Sequence, residues 1–234
     1  IIDGGLATHL EDKYGCNLHD EKWSTLVLDQ DPHIVENAHG DYFQAGAQAA
    51  ITCTYRTNPD SYGDDIKGFH QSIEKAVKVA KSAASKHSDE TRLIIGSVGP
   101  YGQGQRDGST FTGVYPKIDQ LKTLNEKEAA YIAFHKEKID ALLDHPDVDV
   151  IGLETIPRID ESVALAKYFC EQNKKPFYIC FACRSDGNST GFGEPIGNIV
   201  TALQPYFDHP AFWAFGLNCV DPSAVSPLLT GINA

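Results

Sequence analysis

Methionine is missing altogether from these 234 residues, which is unusual for an intracellular chain of this size, so each motif spacing is read as a minimum. Long apolar runs are missing too. No stretch approaches the roughly 18 consecutive apolar residues of a membrane span, and no membrane partner is expected. Basic residues are in deficit: 20 Lys and Arg stand against 32 Asp and Glu, a net charge of -12. Such a field repels phosphate backbones and argues against nucleic acid as a partner. It suits a cationic small molecule, though only weakly. The opening Ile1-Ile2-Asp3 lacks the basic segment of a secretory signal. The six cysteines, Cys16, Cys53, Cys170, Cys180, Cys183 and Cys219, are scattered, and a chain of this length needs no disulfide framework. Reduced thiols and a cytoplasmic setting are expected, which makes Asn188-Ser189-Thr190 a chance match to the glycosylation triplet.

What is present is ordinary globular composition, 41% hydrophobic and 22% charged. Short runs rich in Ile, Val, Phe and Thr predict six buried strands: one ending at Ile1-Ile2-Asp3-Gly4-Gly5, then 49–55, 92–98, 148–154, 177–183 and 212–219. Amphipathic segments lie between them, over 31–45, 66–85, 126–143, 160–171 and 197–206. Ile73, Val77 and Ala80 mark the buried stripe of the second, and Ala130, Phe134 and Ile139 that of the third. Strand followed by helix, repeated, predicts a parallel α/β fold. No linker interrupts the series, so residues 1–234 are expected to form one domain. Six strands fit an open doubly wound sheet more simply than a (β/α)8 barrel, which needs two more βα units.

In such folds chemistry gathers at the carboxyl ends of the strands. Here those ends read Asp3-Gly4-Gly5, Thr52-Cys53-Thr54-Tyr55, Gly99-Pro100-Tyr101-Gly102, Glu154-Thr155-Ile156-Pro157 and Asn218-Cys219. Asp3 and Glu154 are candidates to bind an ammonium group or to act as acid and base; Asp3 equally suits a turn cap. Gly4 and Gly5 permit positive φ and close backbone approach, so their N–H groups can hold a carboxylate. Cys219 is a zinc ligand, a nucleophile or a small buried apolar residue. Cys180-Phe181-Ala182-Cys183 has the CxxC form, but on a strand its two thiols point to opposite faces, and the core is the simpler place for them. The glycine-rich segment 99–108 matches neither the dinucleotide fingerprint nor the P-loop, and is a substrate loop or a plain turn. The nine histidines form no HExxH pattern, and none is assigned to metal. The Glu126-Lys127-Glu128 run is a solvated helix face.

The ordered set of motifs resembles a known family. Asp3-Gly4-Gly5, Trp23-Ser24, His39-Gly40-Asp41-Tyr42, Ala45-Gly46-Ala47 and Thr52-Cys53-Thr54-Tyr55 come first. Gly96-Ser97-Val98-Gly99-Pro100-Tyr101-Gly102, Asp107-Gly108-Ser109, Thr112-Gly113, Glu154-Thr155-Ile156-Pro157 and Gly216-Leu217-Asn218-Cys219 follow. The sequence is similar throughout its length to the homocysteine S-methyltransferases, in the branch using S-methylmethionine or S-adenosylmethionine. That resemblance implies a (β/α)8 TIM barrel, against the strand count, with the last two βα units missing from these residues. It implies methyl transfer from a sulfonium donor to the zinc-bound thiolate of L-homocysteine, giving methionine. Zn would be held by three thiolates, of which Cys219 is one; the other two belong to a Gly-Gly-Cys-Cys motif that this sequence lacks. Asp3 and Glu154 would bind the amino group or the cationic donor. Gly4, Gly5 and Thr52 would hold the acceptor carboxylate, and Asn218 would support the metal site from behind. No side chain is expected to serve as general base. Three alternatives stand beside this: a zinc-free, non-catalytic amino-acid-binding relative, a methyltransferase for selenocysteine or another thiol, and an aldolase or lyase, for which no lysine is found at a strand end.

Overall fold

The computed structural model describes residues 1–19, 23–87, 91–105 and 107–232. Three helices open the chain: α1 (Leu6–Tyr14), α2 (Ser24–Gln30) and α3 (Pro32–Gln44). Then come β1 (Ala49–Ile51), α4 (Ile66–Ser85) and β2 (Leu93–Val98), followed by two single turns, α5 (Ser109–Thr112) and α6 (Pro116–Asp119). The remainder alternates: α7 (Leu124–Asp144), β3 (Val150–Ile156), α8 (Ile159–Gln172), β4 (Phe177–Phe181), α9 (Asn198–Leu203), β5 (Phe212–Leu217) and α10 (Pro222–Ile232). The five strands form one sheet in the order β1-β2-β3-β4-β5. Register is parallel where β1 meets β2, Ala50 opposite Ile94, and where β4 meets β5, Ile179 opposite Phe215. Ile2, expected to close a first strand, makes a single parallel bridge to Ala49.

Two compact units divide the chain: 1–98 with 138–151, and 99–137 with 152–234. In the first, α3 begins where the Asp31 side chain accepts the His33 N–H at 3.1 Å and Pro32 occupies the first turn. Asp65 caps α4 in the same way through Gly68, at 2.8 Å. α4 keeps its predicted bounds and buries Phe69, Ile73, Ala76, Val77 and Ala80. Leu10, Leu28, Val35, Ala38, Cys53 and Ala76 share one core cluster in this unit. In the second unit the core gathers Tyr115, Ile118, Tyr131 and Ala164.

Three expectations need correction. β1 is three residues long, because beyond Ile51 the contacts to β2 pass to the hydroxyls of Thr52 and Thr54, which bond the Ser97 backbone. Cys183 lies beyond the end of β4, in a bridge with Thr190, so the alternation argument does not reach it. Burial raises the thiol pKa of both Cys180 and Cys183 to about 12. Of the stripe predicted for α7 only Ile139 is buried: Ala130 and Phe134 are half-buried, whereas Tyr131, His135, Lys138 and Leu142 are buried.

Lys138 is the costly member of that stripe. Its Nζ donates to the Tyr55 carbonyl at 3.1 Å, and burial lowers its pKa from 10.5 to about 7. Below pH 7 the lysine is charged folded and unfolded, and the fold bears the full cost of burying the charge. Between pH 7 and about 10 the unfolded chain holds a proton that the folded chain has shed, so this group makes stability rise with pH. Lys138→Met is expected to be more stable than the parent at pH 6, with the difference shrinking towards pH 10. Urea midpoints at pH 6, 8 and 10 measure it, and a pH-independent difference contradicts it.

Candidate active site

In the first unit the candidate residues collect where β1 ends. Asp3 follows the Ile2 bridge, and its amide donates to the Ala49 carbonyl at 3.0 Å. Its side chain is buried. Oδ2 accepts the Ile51 N–H at 3.0 Å, while Oδ1 is buried with no hydrogen-bond partner. Asp3 is therefore more than a turn cap: one oxygen fastens the start of the chain to β1 and the other is left over.

Gly4 and Gly5 are exposed, and neither has positive φ, so the left-handed freedom that glycine permits is not used. Gly4 is needed for space instead. A Cβ there would stand 2.9 Å from Cε1 of Tyr42, whereas at Gly5 the nearest atom is 3.8 Å away. Gly4→Ala is expected to cost about 1–3 kcal/mol by pushing on the Tyr42 ring, and Gly5→Ala less, about 0.5 kcal/mol, as an N-cap change. Equal melting temperatures for the two variants would contradict the steric reason. Gly5 is the N-cap of α1, and no side chain caps that helix, so the positive end of the helix dipole at Gly5 has no side-chain partner.

Thr52 is buried and already engaged. Its Oγ1 accepts the Ser97 N–H at 3.1 Å and lies 2.8 Å from Thr54 Oγ1, which itself donates to the Ser97 carbonyl at 2.8 Å. Since the Thr54 proton goes to Ser97, the Thr52 proton goes to Thr54. Holding a carboxylate would require redirecting it.

In the second unit the ends of β3 and β5 are clasped together. Asn218 Oδ1 accepts the Thr155 N–H at 2.9 Å, and Asn218 Nδ2 donates to Thr155 Oγ1 at 3.1 Å. Thr155 Oγ1 in turn lies 3.5 Å from the Cys219 Sγ. Two left-handed residues close the clasp, Thr155 at φ 61° and Cys219 at φ 50°. For a β-branched residue this conformation is strained by about 1–2 kcal/mol, and both Asn218 bonds hold it in place. Cys219 is exposed, which removes the buried apolar reading of that residue. Half-buried Glu154 stands on β3 one residue before Thr155, and its charge adds to the burial that raises the Cys180 thiol.

Beyond the site residues named from the sequence, several others are well placed. Tyr55, whose carbonyl takes the Lys138 bond, has its ring 6.1 Å from that of Trp23, and the Arg56 guanidinium lies 5.0 Å over the same indole. Glu161 is fully buried. Its Oε1 accepts the Tyr101 N–H at 2.6 Å and pairs with His135 Nε2 at 2.8 Å, and its Oε2 accepts the Tyr115 hydroxyl at 3.1 Å. Tyr101 places the glycine-rich segment 99–108 on this carboxylate; Arg106 of that segment lies outside the described residues. Lys138 sits on a helix, so no described strand end carries a lysine. Thr123 and Glu126 exchange bonds at the start of α7, making Glu126 a helix cap as well as a solvated charge.

Among the described residues no group of three His, Cys, Asp or Glu side chains is arranged to hold a metal ion. Cys219 offers one thiolate, and a tetrahedral zinc needs four ligands. These residues alone do not make a zinc centre.

Residues 1–234 match the family model described as homocysteine S-methyltransferase. The chain belongs to the homocysteine S-methyltransferase family. Among its relatives, the Escherichia coli K12 homocysteine S-methyltransferase is 35% identical over 228 residues, covering 94% of this chain and 69% of that protein. Homocysteine S-methyltransferase YbgG of Bacillus subtilis is 31% identical, covering 98% and 71%. The selenocysteine Se-methyltransferase of Brassica oleracea var. italica is 30% identical, covering 99% and 68%. The metallated form of the E. coli homocysteine methyltransferase MmuM superposes with a TM-score of 0.84 at 33% identity, over 97% of this chain and 77% of that one. Its apo form gives 0.74 at 29% identity, over 97% and 74%. For this member of the homocysteine S-methyltransferase family, no described helix is long and apolar enough to cross a membrane.

Proposed function

We propose that the protein transfers a methyl group from a sulfonium donor, S-methylmethionine or S-adenosylmethionine, to the thiol of L-homocysteine, giving methionine. Family membership supports this, and the observation that carries it is the Asp3-Gly4-Gly5 turn. There a buried carboxylate with a spare oxygen is followed at once by an uncapped helix N-terminus. These are the two halves of an amino-acid recognition site, one for the ammonium and one for the carboxylate. Asp3 binds the ammonium, and Gly4 and Gly5 hold the carboxylate, with Thr52 beside them once its proton is redirected. Glu154 attracts the cationic donor. Asn218 keeps Cys219 in its left-handed position.

The chemistry asks little of the side chains. Thiolate is the nucleophile, with a reference pKa near 8.5 for a cysteine-like thiol. The thiol proton is lost to solvent. The sulfur lone pair then forms the S–CH3 bond as the bond between the methyl and the donor sulfonium breaks, and the donor leaves as a neutral thioether. The charge of the donor already activates the methyl group. Alignment and exclusion of water supply the rest, and no residue acts as general base.

The metal we propose is zinc, with Cys219 as one thiolate donor. The metallated state of the E. coli relative supports a metal, and the thiol chemistry of Cys219 supports zinc. We infer further that residues 1–234 are one (β/α)8-type domain, which the parallel order of the five strands supports. The partners are small molecules rather than nucleic acid or membrane, and the compartment is the cytoplasm, as the net charge of -12 and the six free thiols suggest. Selenocysteine is the second acceptor to consider, because relatives named for it are as similar, at 30% identity, as some named for homocysteine.

Calorimetry with L-homocysteine and with 4-mercaptobutanoate, which lacks only the ammonium, tests the reading. The amino acid is expected to bind at least ~10-fold more tightly, the worth of one charged hydrogen bond. Equal affinity for both would overturn the assignment of Asp3.

A further inference from the structure

His39 takes no part in the scheme above, yet its surroundings are unusual. It lies on α3, fully buried, and neither ring nitrogen has a hydrogen-bond partner. Nδ1 faces Asp3 Oδ2 across 3.6 Å, and Oδ1 of the same carboxylate is also unpartnered. Buried polar atoms left unpaired cost ~1–3 kcal/mol each. Three of them on two adjoining side chains mark a place built for an arrangement that is completed by something else. α3 reaches the same turn a second time: Tyr42, three residues on from His39, packs its ring where a Gly4 side chain would stand. One face of α3 therefore bounds both Asp3 and Gly4.

We propose that His39 is a positioning residue for Asp3. Its Nδ1–H donates to Oδ2, beside the bond from Ile51, and so turns Oδ1 towards the ammonium group of the amino-acid substrate. A movement of roughly 0.5 Å closes the gap to hydrogen-bond length. The Nδ1–H tautomer leaves Nε2 as a bare acceptor, which is tolerated in a protein interior more readily than an unpaired N–H. With both bonds on Oδ2 in place, the carboxylate cannot rotate away, and the spare oxygen is held ready before substrate arrives. The inference rests on the assignment of Asp3 to the ammonium group.

The test is the Kd for L-homocysteine, measured by calorimetry on the parent, His39→Leu, His39→Asn, His39→Gln and Asp3→Asn, with a melting temperature for each. Asparagine places its amide where Nδ1 stood, whereas glutamine places it at the Nε2 position. The leucine and glutamine variants are expected to bind about 10-fold more weakly, and the asparagine variant within about 3-fold of the parent. A purely structural role would shift the melting temperatures without separating asparagine from glutamine. Loss of binding in Asp3→Asn together with equal Kd values for the Asn and Gln variants overturns the role of His39 alone. Unchanged binding in Asp3→Asn overturns the assignment of Asp3 beneath it. If the leucine variant does not fold, the comparison of Asn with Gln still decides.

Discussion

Cys219→Ala is expected to lower methyl transfer to L-homocysteine at least ~100-fold, and to lower the zinc content of the reduced protein in step. Losing a residue that merely supports a metal ligand costs ~10–100-fold, and Cys219 is proposed as a ligand itself. The structure prepares this thiol at some expense. Cys219 is exposed at the end of β5 in a left-handed conformation, and its sulfur meets the Thr155 hydroxyl at 3.5 Å. Both Thr155 and Asn218 hold it there through the two bonds between them. Asn218→Ala is the control: it keeps the thiol, frees its position, and falls between the parent and Cys219→Ala. Full zinc and full activity in Cys219→Ala would remove the residue from the site.

Glu161→Ala is expected to destabilise the protein by about 3–5 kcal/mol, the cost of leaving several buried donors unsatisfied. One carboxylate satisfies three donors: the Tyr101 N–H, the His135 imidazole and the Tyr115 hydroxyl. Its removal orphans all three in a fully buried place. Burial, followed by the charge of Glu161, drives the Tyr115 hydroxyl pKa far upward, so this phenol donates at every accessible pH. Tyr115→Phe, which loses one neutral partner, should cost only ~1 kcal/mol. Urea midpoints give both values. A Glu161→Ala variant within ~1 kcal/mol of the parent would mean that ordered water replaces the carboxylate.

The sequence showed the repeating βα order and the residues at the strand ends, because short apolar β-branched runs and helical stripes such as Ile73, Val77 and Ala80 are direct consequences of burial. It hid whatever depends on three-dimensional company. His135 and Lys138 are polar residues on a helix and carried no sequence signal, yet both are buried, one on Glu161 and one on the Tyr55 carbonyl. The left-handed backbone at Thr155 and Cys219 runs against the preference of both residues, so no propensity argument reaches it. Gly4 was legible as a glycine but not in its reason, since the ring of Tyr42 comes from 38 positions further on. His39 could be quoted as part of a motif, but only the structure shows it beside Asp3 with both nitrogens unpaired. α1 and α2 carried little signal: their first turns have no acidic residue and no capping side chain.

The most direct measurement of the central claim follows the acceptor. The protein is incubated with L-homocysteine deuterated on its carbon chain, together with S-methylmethionine or S-adenosylmethionine, and the products are read by mass spectrometry. Methionine that carries the deuterium of homocysteine, formed with at least one donor and reduced in Asp3→Asn, is the expected result. No labelled methionine with either donor, from protein that is folded, reduced and supplied with zinc, would contradict it.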